Sequence, residues 1–227
     1  RNAGDLTSKA GAAGLCCAVS AAEQGLDVIV FSAGTKPLSR GGSFQAIGSK
    51  YQAEHGVVDN PELRRVQTGI DQVAGCRMMD MRKWARWENR SAESMDWMID
   101  KMEAKGIHCS LAVPYKDADG ILDTPAGEHN FWTEEQPMGV FQGAPLVAKA
   151  WADTFTDDLG GEIDYATVAQ YLEREGDHAG RVTGVIAKDA DGRYVRYEAT
   201  KAVVLATGDF SKDFDMMAHF APYAWEQ

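Results

Sequence analysis

Residues 9–32 read KAGAAGLCCAVSAAEQGLDVIVFS and predict a glycine turn, an apolar helix and a short strand, one after another. Gly11 and Gly14 allow the backbone to turn tightly and to approach a ligand closely. The N-terminus of the helix behind them leaves N–H groups without intrahelical partners and a partial positive charge, which suits a pyrophosphate. This glycine turn (Gly11–Gly14) therefore predicts a nucleotide-binding α/β unit.

The rest of the stretch supports the same prediction. Small apolar residues between Leu15 and Ala22 form a helix face suited to close packing on a sheet, and Gly25 stands where a helix ends in glycine. The continuous apolar run Val28–Phe31 is typical of a parallel strand that is covered on both faces. Ahead of the turn, Asp5–Lys9 contains only one strong apolar residue. We expect the first strand either to be degraded or to be held by its neighbours.

Length and charge limit the possible classes of protein. The chain has 227 residues, enough for one large domain or two small ones. Its net charge of −11 argues against nucleic acid or an anionic membrane surface as a main partner. No apolar run approaches the roughly 20 residues that span a bilayer, so we expect no membrane span. Because no signal peptide is recognisable, we expect a cytoplasmic protein, or an exported one whose signal segment has been removed.

The middle of the chain predicts helices joined by irregular segments. Residues 33–60 read as a loop with a short helix, followed by a long helical region at about 61–105 with a break near Gly75. The Met and Trp residues of that region recur at helical spacing, which favours a core stripe over a cofactor site. Residues 107–140 read as loops with one short strand, and Leu146–Leu159 as a helix ended by Gly160-Gly161.

The hydrophobic period changes near the C-terminal end. Four strands are predicted there, at Ile163–Leu172, Val182–Lys188, Tyr194–Tyr197 and Ala202–Leu205. Turn residues separate them, among them the aspartate- and glycine-containing segment Asp189–Gly192. Together with the glycine turn and its helix, these strands predict a mixed α/β fold.

Rival kinds of site are not supported by the sequence. The five histidines are scattered without metal-ligand spacing, so no metal site is predicted. No G-x-S-x-G elbow of a serine hydrolase is present. The acidic residues around Gly120 vaguely resemble a calcium loop, but Pro114 and Pro125 break the helices that such a loop requires. The four cysteines show no CxxC spacing and are expected to be small buried residues of a reduced protein.

Two further glycine-containing segments follow the glycine turn, namely the glycine loop (Arg40–Ser43) and the ATG segment (Ala206–Asp209). In this order the three segments resemble the FAD-binding domain of the fumarate reductase/succinate dehydrogenase flavoprotein family. The likeness is strongest to its soluble bacterial branch, which includes urocanate reductases, flavocytochrome fumarate reductases and 3-ketosteroid dehydrogenases. Its most specific parts are Arg181–Val185 and Ala202–Phe210, which are similar to the family's RVTGV and VVLATGGF strands.

The resemblance implies FAD as cofactor and a set of residues that contact it. The glycine turn would hold the pyrophosphate, the glycine loop would pass the flavin, and main-chain groups at residues 168–169 would meet the adenine. The implied cofactor-binding residues are Gly11, Ala12, Ala13, Gly14, Ser32, Arg40, Gly41, Gly42, Ser43, Ala46, Val168, Ala169, Ala206, Thr207, Gly208 and Asp209.

Three positions depart from the family's pattern. Lys9 stands where the family has a first glycine, and Asp209 where it more often has a second one. Ser32 stands where the family usually has Glu or Asp to hold the ribose hydroxyls, and one hydroxyl replaces only one of the hydrogen bonds that a carboxylate accepts. These departures keep a non-catalytic function open beside the enzymatic one.

The resemblance also implies an architecture and an activity. The expected fold is a Rossmann-like FAD-binding domain over residues 1–227, with a parallel sheet, a small antiparallel strand layer and no capping domain, as the N-terminal portion of a larger flavoprotein. The expected reaction moves a hydride between flavin and the activated C=C bond of an unsaturated carboxylate or enone. A ketosteroid dehydrogenase-type flavoprotein and a truncated FAD-binding or assembly domain are the alternatives.

Partners follow from the same resemblance. We expect a small-molecule substrate, together with an electron-donor protein or the missing capping domain, and no nucleic acid. The arginines and the histidine that hold and protonate substrate in the family match no position of this chain, so we assign no catalytic residue.

Overall fold

The computed structural model describes residues 2–7, 10–39, 41–58, 68–69, 80–112, 115–116, 123–124, 127–137, 143–176, 179–211 and 213–222. The chain forms two compact units. The first unit comprises Arg1–Pro37 and Trp151–Gln227, and the second unit comprises Leu38–Ala150. Among the described residues, no helix has the length and apolar character needed to cross a membrane.

Eleven strands and five α-helices are described. In chain order they are β1 (Asn2–Thr7), α1 (Ala12–Glu23), β2 (Val28–Phe31), β3 (Ser43–Gln45), α2 (Lys50–Glu54), α3 (Met81–Glu103), β4 (His108–Leu111), β5 (Tyr115–Lys116), β6 (Asp123–Thr124), β7 (Glu128–Trp132), α4 (Gly143–Asp153), a π-helical turn (Thr154–Asp158), β8 (Glu162–Asp164), β9 (Val168–Arg174), β10 (Val182–Lys188), β11 (Tyr194–Val204) and α5 (Phe214–Phe220).

A six-stranded sheet in the order β8-β2-β1-β11-β10-β9 forms the centre of the first unit. The pairs among β8, β2, β1 and β11 are parallel, and the pairs among β11, β10 and β9 are antiparallel. This confirms the α/β class with a parallel sheet and an added antiparallel layer. Strand β1 has hydrogen-bonded neighbours on both sides, so its neighbours hold it despite its poor apolar content.

Side chains of the antiparallel strands pack against those of the parallel strands. Ile29 and Phe31 of β2 form one buried cluster with Val185 of β10 and Tyr197 of β11. The rings of Phe31 and Tyr197 stack with their centroids 4.7 Å apart, and the Tyr197 hydroxyl donates to Asp164 Oδ2 at 2.6 Å. Because aromatic stacking and a hydrogen bond to a carboxylate act on one buried side chain, Tyr197 stabilises the contact between the two layers.

Helix α1 is buried through Leu15, Ala18 and Val19, each with no exposed surface, and contacts β1 and β2. It ends as predicted, because Gly25 has the left-handed backbone conformation (φ 78°) that terminates helices. Strand β2 is buried at all four positions, as a parallel strand covered on both faces requires. The sequence prediction for this segment is confirmed.

Two strand predictions in the first unit are wrong. The predicted strands Tyr194–Tyr197 and Ala202–Leu205 are one continuous strand, β11, which pairs with β10 through its first half and with β1 through its second. The predicted strand Ile163–Leu172 is two strands, separated by a turn in which Ala166 has a φ of 51°. A change of pairing partner leaves no local pattern in the sequence, so periodicity alone does not reveal it.

The second unit contains a three-stranded antiparallel sheet in the order β3-β7-β4 and the two-stranded pair β5-β6. Strand β7 alternates between buried and half-buried residues, with His129 and Phe131 on the buried face. The prediction of loops with one short strand over 107–140 is therefore wrong. It failed because a buried histidine breaks the apolar alternation by which a strand is recognised.

Helix α3 confirms the core stripe in the part of the predicted helical region that is described. Met95, Met98 and Met102 are buried along one face, whereas most of residues 61–80, with the predicted break near Gly75, lie outside the described residues. Helix α4 begins at Gly143, three residues earlier than predicted, and continues into the π-helical turn.

Candidate functional site

The carboxyl ends of three parallel strands lie level at one edge of the first unit's sheet. Thr7, at the end of β1, pairs with Val30 of β2 on one side and with Val204 of β11 on the other. The glycine turn follows β1, Ser32 follows β2, and the ATG segment follows β11. Three groups of predicted site residues, distant in sequence, are thus brought to the edge where open α/β sheets bind ligands.

The glycine turn forms the start of α1. Gly11 is the N-cap residue with an extended backbone and has no side chain to occupy the first-turn N–H groups, and no acidic residue lies in the first turn. Gly14 is buried, whereas Ala13 is exposed. An uncapped helix N-terminus without a competing carboxylate attracts an anion through its N–H groups and the helix dipole. The turn therefore fits the pyrophosphate of a dinucleotide.

Ser32 directly follows β2 and is only 4% exposed. Its Oγ accepts a hydrogen bond from the Gly34 N–H at 3.2 Å, so the hydroxyl stabilises the turn in which it lies. Its backbone N–H donates to Asp164 O at 2.8 Å and its carbonyl accepts from the Thr167 N–H at 2.8 Å. The hydroxyl is thus engaged within the protein, and a contact of Ser32 with a ribose stays a prediction.

Val168 and Ala169 begin β9, the strand at one edge of the sheet, and both are exposed. The hydrogen bond from the Thr167 N–H to Ser32 O lies immediately before them and keeps the start of β9 beside the end of β2. Edge strands present main-chain groups to a ligand on their outer side. This position suits recognition of a planar base by backbone hydrogen bonds.

The ATG segment continues from β11 at the same edge. Gly208 has a left-handed φ of 80°, which permits the chain to turn away from the strand. Asp209 Oδ1 accepts hydrogen bonds from the Ser211 N–H, at 2.9 Å, and from the Ser211 hydroxyl. Beyond it lies an open depression of about 670 Å³, which is lined by Asp209, Phe210, Asp213, Phe214, Asp215 and Met216. Three carboxylates there disfavour an anionic ligand in this depression.

The glycine loop lies in the second unit, where Arg40 is outside the described residues. Gly41 has a φ of 101°, Gly42 follows it, and Ser43 begins β3. The Ser43 hydroxyl donates to Glu128 Oε2 at 3.0 Å, and Gln45 Nε2 donates to the other oxygen of the same carboxylate at 3.4 Å. The carboxylate of β7 thus holds the end of the glycine loop in place.

A buried polar pair lies behind β3 in the second unit. Ser49 Oγ is 2.8 Å from His129 Nε2, and neither residue has exposed surface. Ser49 also caps α2 by accepting from the Gln52 N–H, while the Gln52 side chain accepts from the Ser49 N–H. Burial lowers the pKa of His129, so the ring is neutral. Ala46, another predicted site residue, is buried and donates its N–H to Gly127 O at 3.1 Å.

The contacts that Glu128, His129 and Ser49 make around the glycine loop and α2 were not predicted from the sequence. The partners in each contact are separated by 80 to 85 residues, so no local spacing reveals them. Within the described ranges, no three His, Cys, Asp or Glu residues are arranged to hold a metal ion.

Cys16 and Cys109 are not poised for nucleophilic chemistry. Burial, together with the neighbouring Cys17, raises the pKa of Cys16 to about 11. Burial and the charge of Glu103 raise the pKa of Cys109 to about 12. The thiolate is the reactive form, so both thiols are protonated and inert near neutral pH.

Comparisons with known proteins agree with this geometry. A family model described as "FAD binding domain" matches residues 10–226. A curated vinyl phenol reductase from Lactiplantibacillus plantarum is 26% identical over 220 residues, which cover 94% of this chain and 39% of that protein.

Solved structures share the fold. A 3-ketosteroid-delta4-(5alpha)-dehydrogenase from Rhodococcus jostii RHA1 superposes with a TM-score of 0.72 at 23% identity, over 97% of this chain and 49% of that one. A flavocytochrome c3 fumarate reductase superposes with a TM-score of 0.72 at 22% identity, over 100% of this chain and 37% of that one. The chain therefore spans less than half the length of each of these three proteins.

Proposed function

The chain belongs to the FAD binding domain family, and from this premise we propose that it is the cofactor-binding part of a flavin-dependent reductase or dehydrogenase. FAD is the cofactor that membership of this family implies. The activity of the whole protein is part of the proposal, because the chain spans only 39% of its curated relative.

The level carboxyl ends of β1, β2 and β11 support the proposal most strongly. The register places Thr7, Val30 and Val204 side by side, so the segments that follow these residues share one edge of the sheet. A nucleotide lying along this edge meets a helix N-terminus, the end of β2 and a glycine-containing strand end together. Segments that serve only as chain turns would not be expected to lie together at one edge of the sheet.

We assign the ADP portion of FAD to the first unit. The N–H groups at the start of α1, in residues 11–14, bind the pyrophosphate, and no carboxylate in the first turn opposes its charge. Main-chain groups of Val168 and Ala169 bind the adenine, and the ATG segment closes the end of β11 against the cofactor. Ser32 lies beside the ribose, with its hydroxyl acting on Gly34.

We assign the flavin portion to the glycine loop of the second unit, with Ala46 behind it. Gly41 and Gly42 carry no Cβ, so their backbone groups can approach a planar ring closely. Glu128 holds Ser43 and Gln45 through both carboxylate oxygens, which keeps the loop ordered before the cofactor arrives. Preorganisation of this kind lowers the entropy that binding costs.

The proposed reaction is hydride transfer to or from an activated C=C bond. When bound, FAD supplies the hydride chemistry, and the protein supplies position and electrostatics. The substrate class is an unsaturated carboxylate or an enone, and a 3-ketosteroid is the alternative. The net charge of −11 favours a neutral enone over a carboxylate as the substrate.

The first test is the binding of FAD. We expect the purified chain to bind FAD in a titration followed by flavin fluorescence, and to show the visible absorption of bound flavin. A chain that stays colourless and does not change flavin fluorescence at any FAD concentration would disprove the proposal.

The second test concerns the substrate class. Photoreduced, FAD-loaded protein is mixed anaerobically with fumarate, urocanate, a small enone or a 3-ketosteroid, and the return of oxidised flavin absorbance is followed. We expect little reoxidation by this chain alone, because the family's substrate-holding residues match no position in it, and we expect the enone to react faster than either carboxylate. Equal or faster reoxidation by fumarate would overturn the preference for a neutral substrate.

A non-catalytic function in assembly is the second candidate. The observation in its favour is that Ser32 replaces an acidic residue and uses its hydroxyl within its own turn. A protein that binds FAD but is not reoxidised by any of the four substrates supports this candidate. Reoxidation by any one of them excludes it.

A further inference from the structure

The first residue of α4 lies directly against the glycine loop. A Cβ atom added to Gly143 would lie 2.3 Å from the carbonyl oxygen of Gly42 and 3.3 Å from that of Phe131. Both neighbouring atoms belong to the backbone, so no flexible side chain can move aside. A separation below 3 Å is far inside van der Waals contact, so only glycine fits here while the loop keeps its position.

Glycine is required at residue 143 because a Cβ has no room there, and not because of the backbone conformation. Gly41, Gly106 and other glycines adopt positive φ angles that side-chain-bearing residues rarely adopt, but Gly143 is not among them. Gly143 begins a regular helix of 11 residues, in which most residues have a higher helix propensity than glycine. Glycine at this position therefore serves the approach of the helix to the loop.

The other side of the glycine loop is held independently. Ser43 pairs with Asn130 in the β3-β7 ladder and donates its hydroxyl to Glu128. Phe44 packs edge-on against Phe131, with ring centroids 5.8 Å apart. Strand β3 is thus fixed by β7, and the residue just before it, Gly42, is in contact with the start of α4. The helix start and the strand together leave the loop little freedom to shift.

We propose that Gly143 is a positioning residue for the flavin: by lacking a side chain it lets α4 set the position of Gly42 in the glycine loop. The inference rests on the proposed assignment of that loop to the flavin. A Cβ at residue 143 must push the Gly42 backbone away by about 1 Å to reach normal contact, and binding sites tolerate displacements of only about 0.5 Å.

The test compares Gly143→Ala with Gly69→Ala in the full chain. The control makes the same substitution in the same unit at a glycine where an added Cβ meets nothing within 4 Å. For Gly143→Ala we expect FAD affinity to fall about tenfold or more and the visible circular dichroism of bound flavin to change, since a displacement near 1 Å carries penalties of this size. We expect the control to match the wild type.

Binding of ADP separates a positioning effect from a general loss of structure. ADP carries only the portion that we assign to the first unit, so Gly143→Ala should leave its affinity unchanged. If the variant binds FAD with wild-type affinity and wild-type flavin circular dichroism, the inference is wrong. If the affinities for FAD and for ADP fall equally, the substitution disturbs the structure in general, and the positioning function is also rejected.

A measurement on the wild type covers the case in which Gly143→Ala does not fold. FAD binding should slow amide hydrogen exchange both in the glycine loop and in the first turn of α4, because the two are in contact. Protection of residues 41–46 without protection of residues 143–147 would overturn the inference and leave the proposed function intact. A wild type that binds no FAD overturns both.

Discussion

The glycine turn of the first unit and the glycine loop of the second unit differ in what surrounds their backbones. At the turn, Gly11 caps α1 without a side chain, and no acidic residue lies in the first helical turn. At the loop, Glu128 accepts from both Ser43 and Gln45, and a Cβ at Gly143 would meet Gly42 O at 2.3 Å. The first offers backbone donors that have no partner within the helix, and the second is fixed by its neighbours.

The difference shows that glycine serves two purposes in this protein. In the turn, glycine frees helix N–H groups for an anion, so the expected ligand contact is electrostatic. Beside the loop, Gly143 permits close packing of the α4 backbone against the backbone of Gly42, so the expected contribution is a fixed position. Substitutions in the turn should therefore lower FAD affinity by disturbing the N-terminus of α1, and substitutions around the loop should lower it by displacing the glycine loop.

The largest effect is expected for Gly14→Val in the turn. Gly14 is buried in the first turn of α1, and a branched side chain there overfills the packing, at a cost of about 1–3 kcal/mol in the free energy of unfolding. We expect FAD affinity to fall by at least about tenfold as α1 moves from the sheet. Fluorescence titration and urea unfolding measure the two quantities.

Ala13→Val provides the matched control for this variant, because Ala13 lies in the same turn but is exposed. It should change the stability by less than about 0.5 kcal/mol, as surface substitutions usually do. Equal losses in the free energy of unfolding for the two valine variants would show that the burial of Gly14 does not cause the loss of stability in Gly14→Val.

Acidification should affect the second unit through His129. Its pKa is lowered from 6.5 in the folded state, because burial disfavours the charged ring more than Asp96 and the nearby carbonyls favour it. The unfolded chain therefore binds a proton first. Above pH 6.5 the free energy of unfolding does not depend on this histidine. Below pH 6.5 the free energy of unfolding falls by roughly 1 kcal/mol per pH unit until the pH reaches the folded-state pKa of His129.

Peptide-level hydrogen exchange at pH 7.5 and 5.5, corrected for the intrinsic rate, measures this loss in β3 and β7. His129→Gln should remove the pH dependence there, whereas His55→Gln changes an exposed histidine and should retain it. Unchanged pH dependence in His129→Gln would assign the effect to another group.

A smaller effect is expected for Glu128→Gln beside the glycine loop. The amide retains one acceptor oxygen, so Ser43 or Gln45 loses its partner, at a cost of about 1 kcal/mol or less at this partly exposed position. We expect FAD affinity to fall about threefold, since about 0.6 kcal/mol of binding energy is lost. Glu134→Gln, at an exposed bend of the same unit, is the control. If both variants match the wild type, Glu128 does not order the loop.

The smallest effect is expected for Ser32→Ala beside the turn. It removes the acceptor of the Gly34 N–H and should lower the stability by about 1 kcal/mol or less. FAD affinity should change by less than about twofold, because the hydroxyl acts on the protein. A fall of tenfold or more would instead show that the hydroxyl binds the ribose. Thr35→Ala, at the exposed bend nearby, is the control for both measurements.

The elements predicted best from the sequence are those that depend on a local pattern of residues. The apolar run Val28–Phe31, the small-residue face of α1 and the terminating Gly25 each combine a composition with a spacing that only one local structure satisfies. The glycine turn belongs to the same class, because its glycines and the following helix are adjacent in sequence. These elements also carry the resemblance through which the family was recognised.

Features that depend on distant partners were not predictable. Strand β1 has a weak apolar pattern and is formed because β2 and β11 pair with it on both sides. Strand β11 changes from an antiparallel to a parallel partner without any change in composition. Likewise Gly143 is one glycine among 23, and only its distance from Gly42 distinguishes it.

The pairing of β1 with β11 has a consequence for how the protein acquires its structure during synthesis. Asn2–Thr7 pairs with residues 198–204, so the middle of the sheet joins two segments that are far apart in sequence. The neighbouring strands β9, β10 and β11 are close in sequence and can pair early, whereas β1 lacks one partner until the ribosome has made β11. The nucleotide edge is therefore completed only after β11 has been made, later than the antiparallel pairs among β9, β10 and β11 can form.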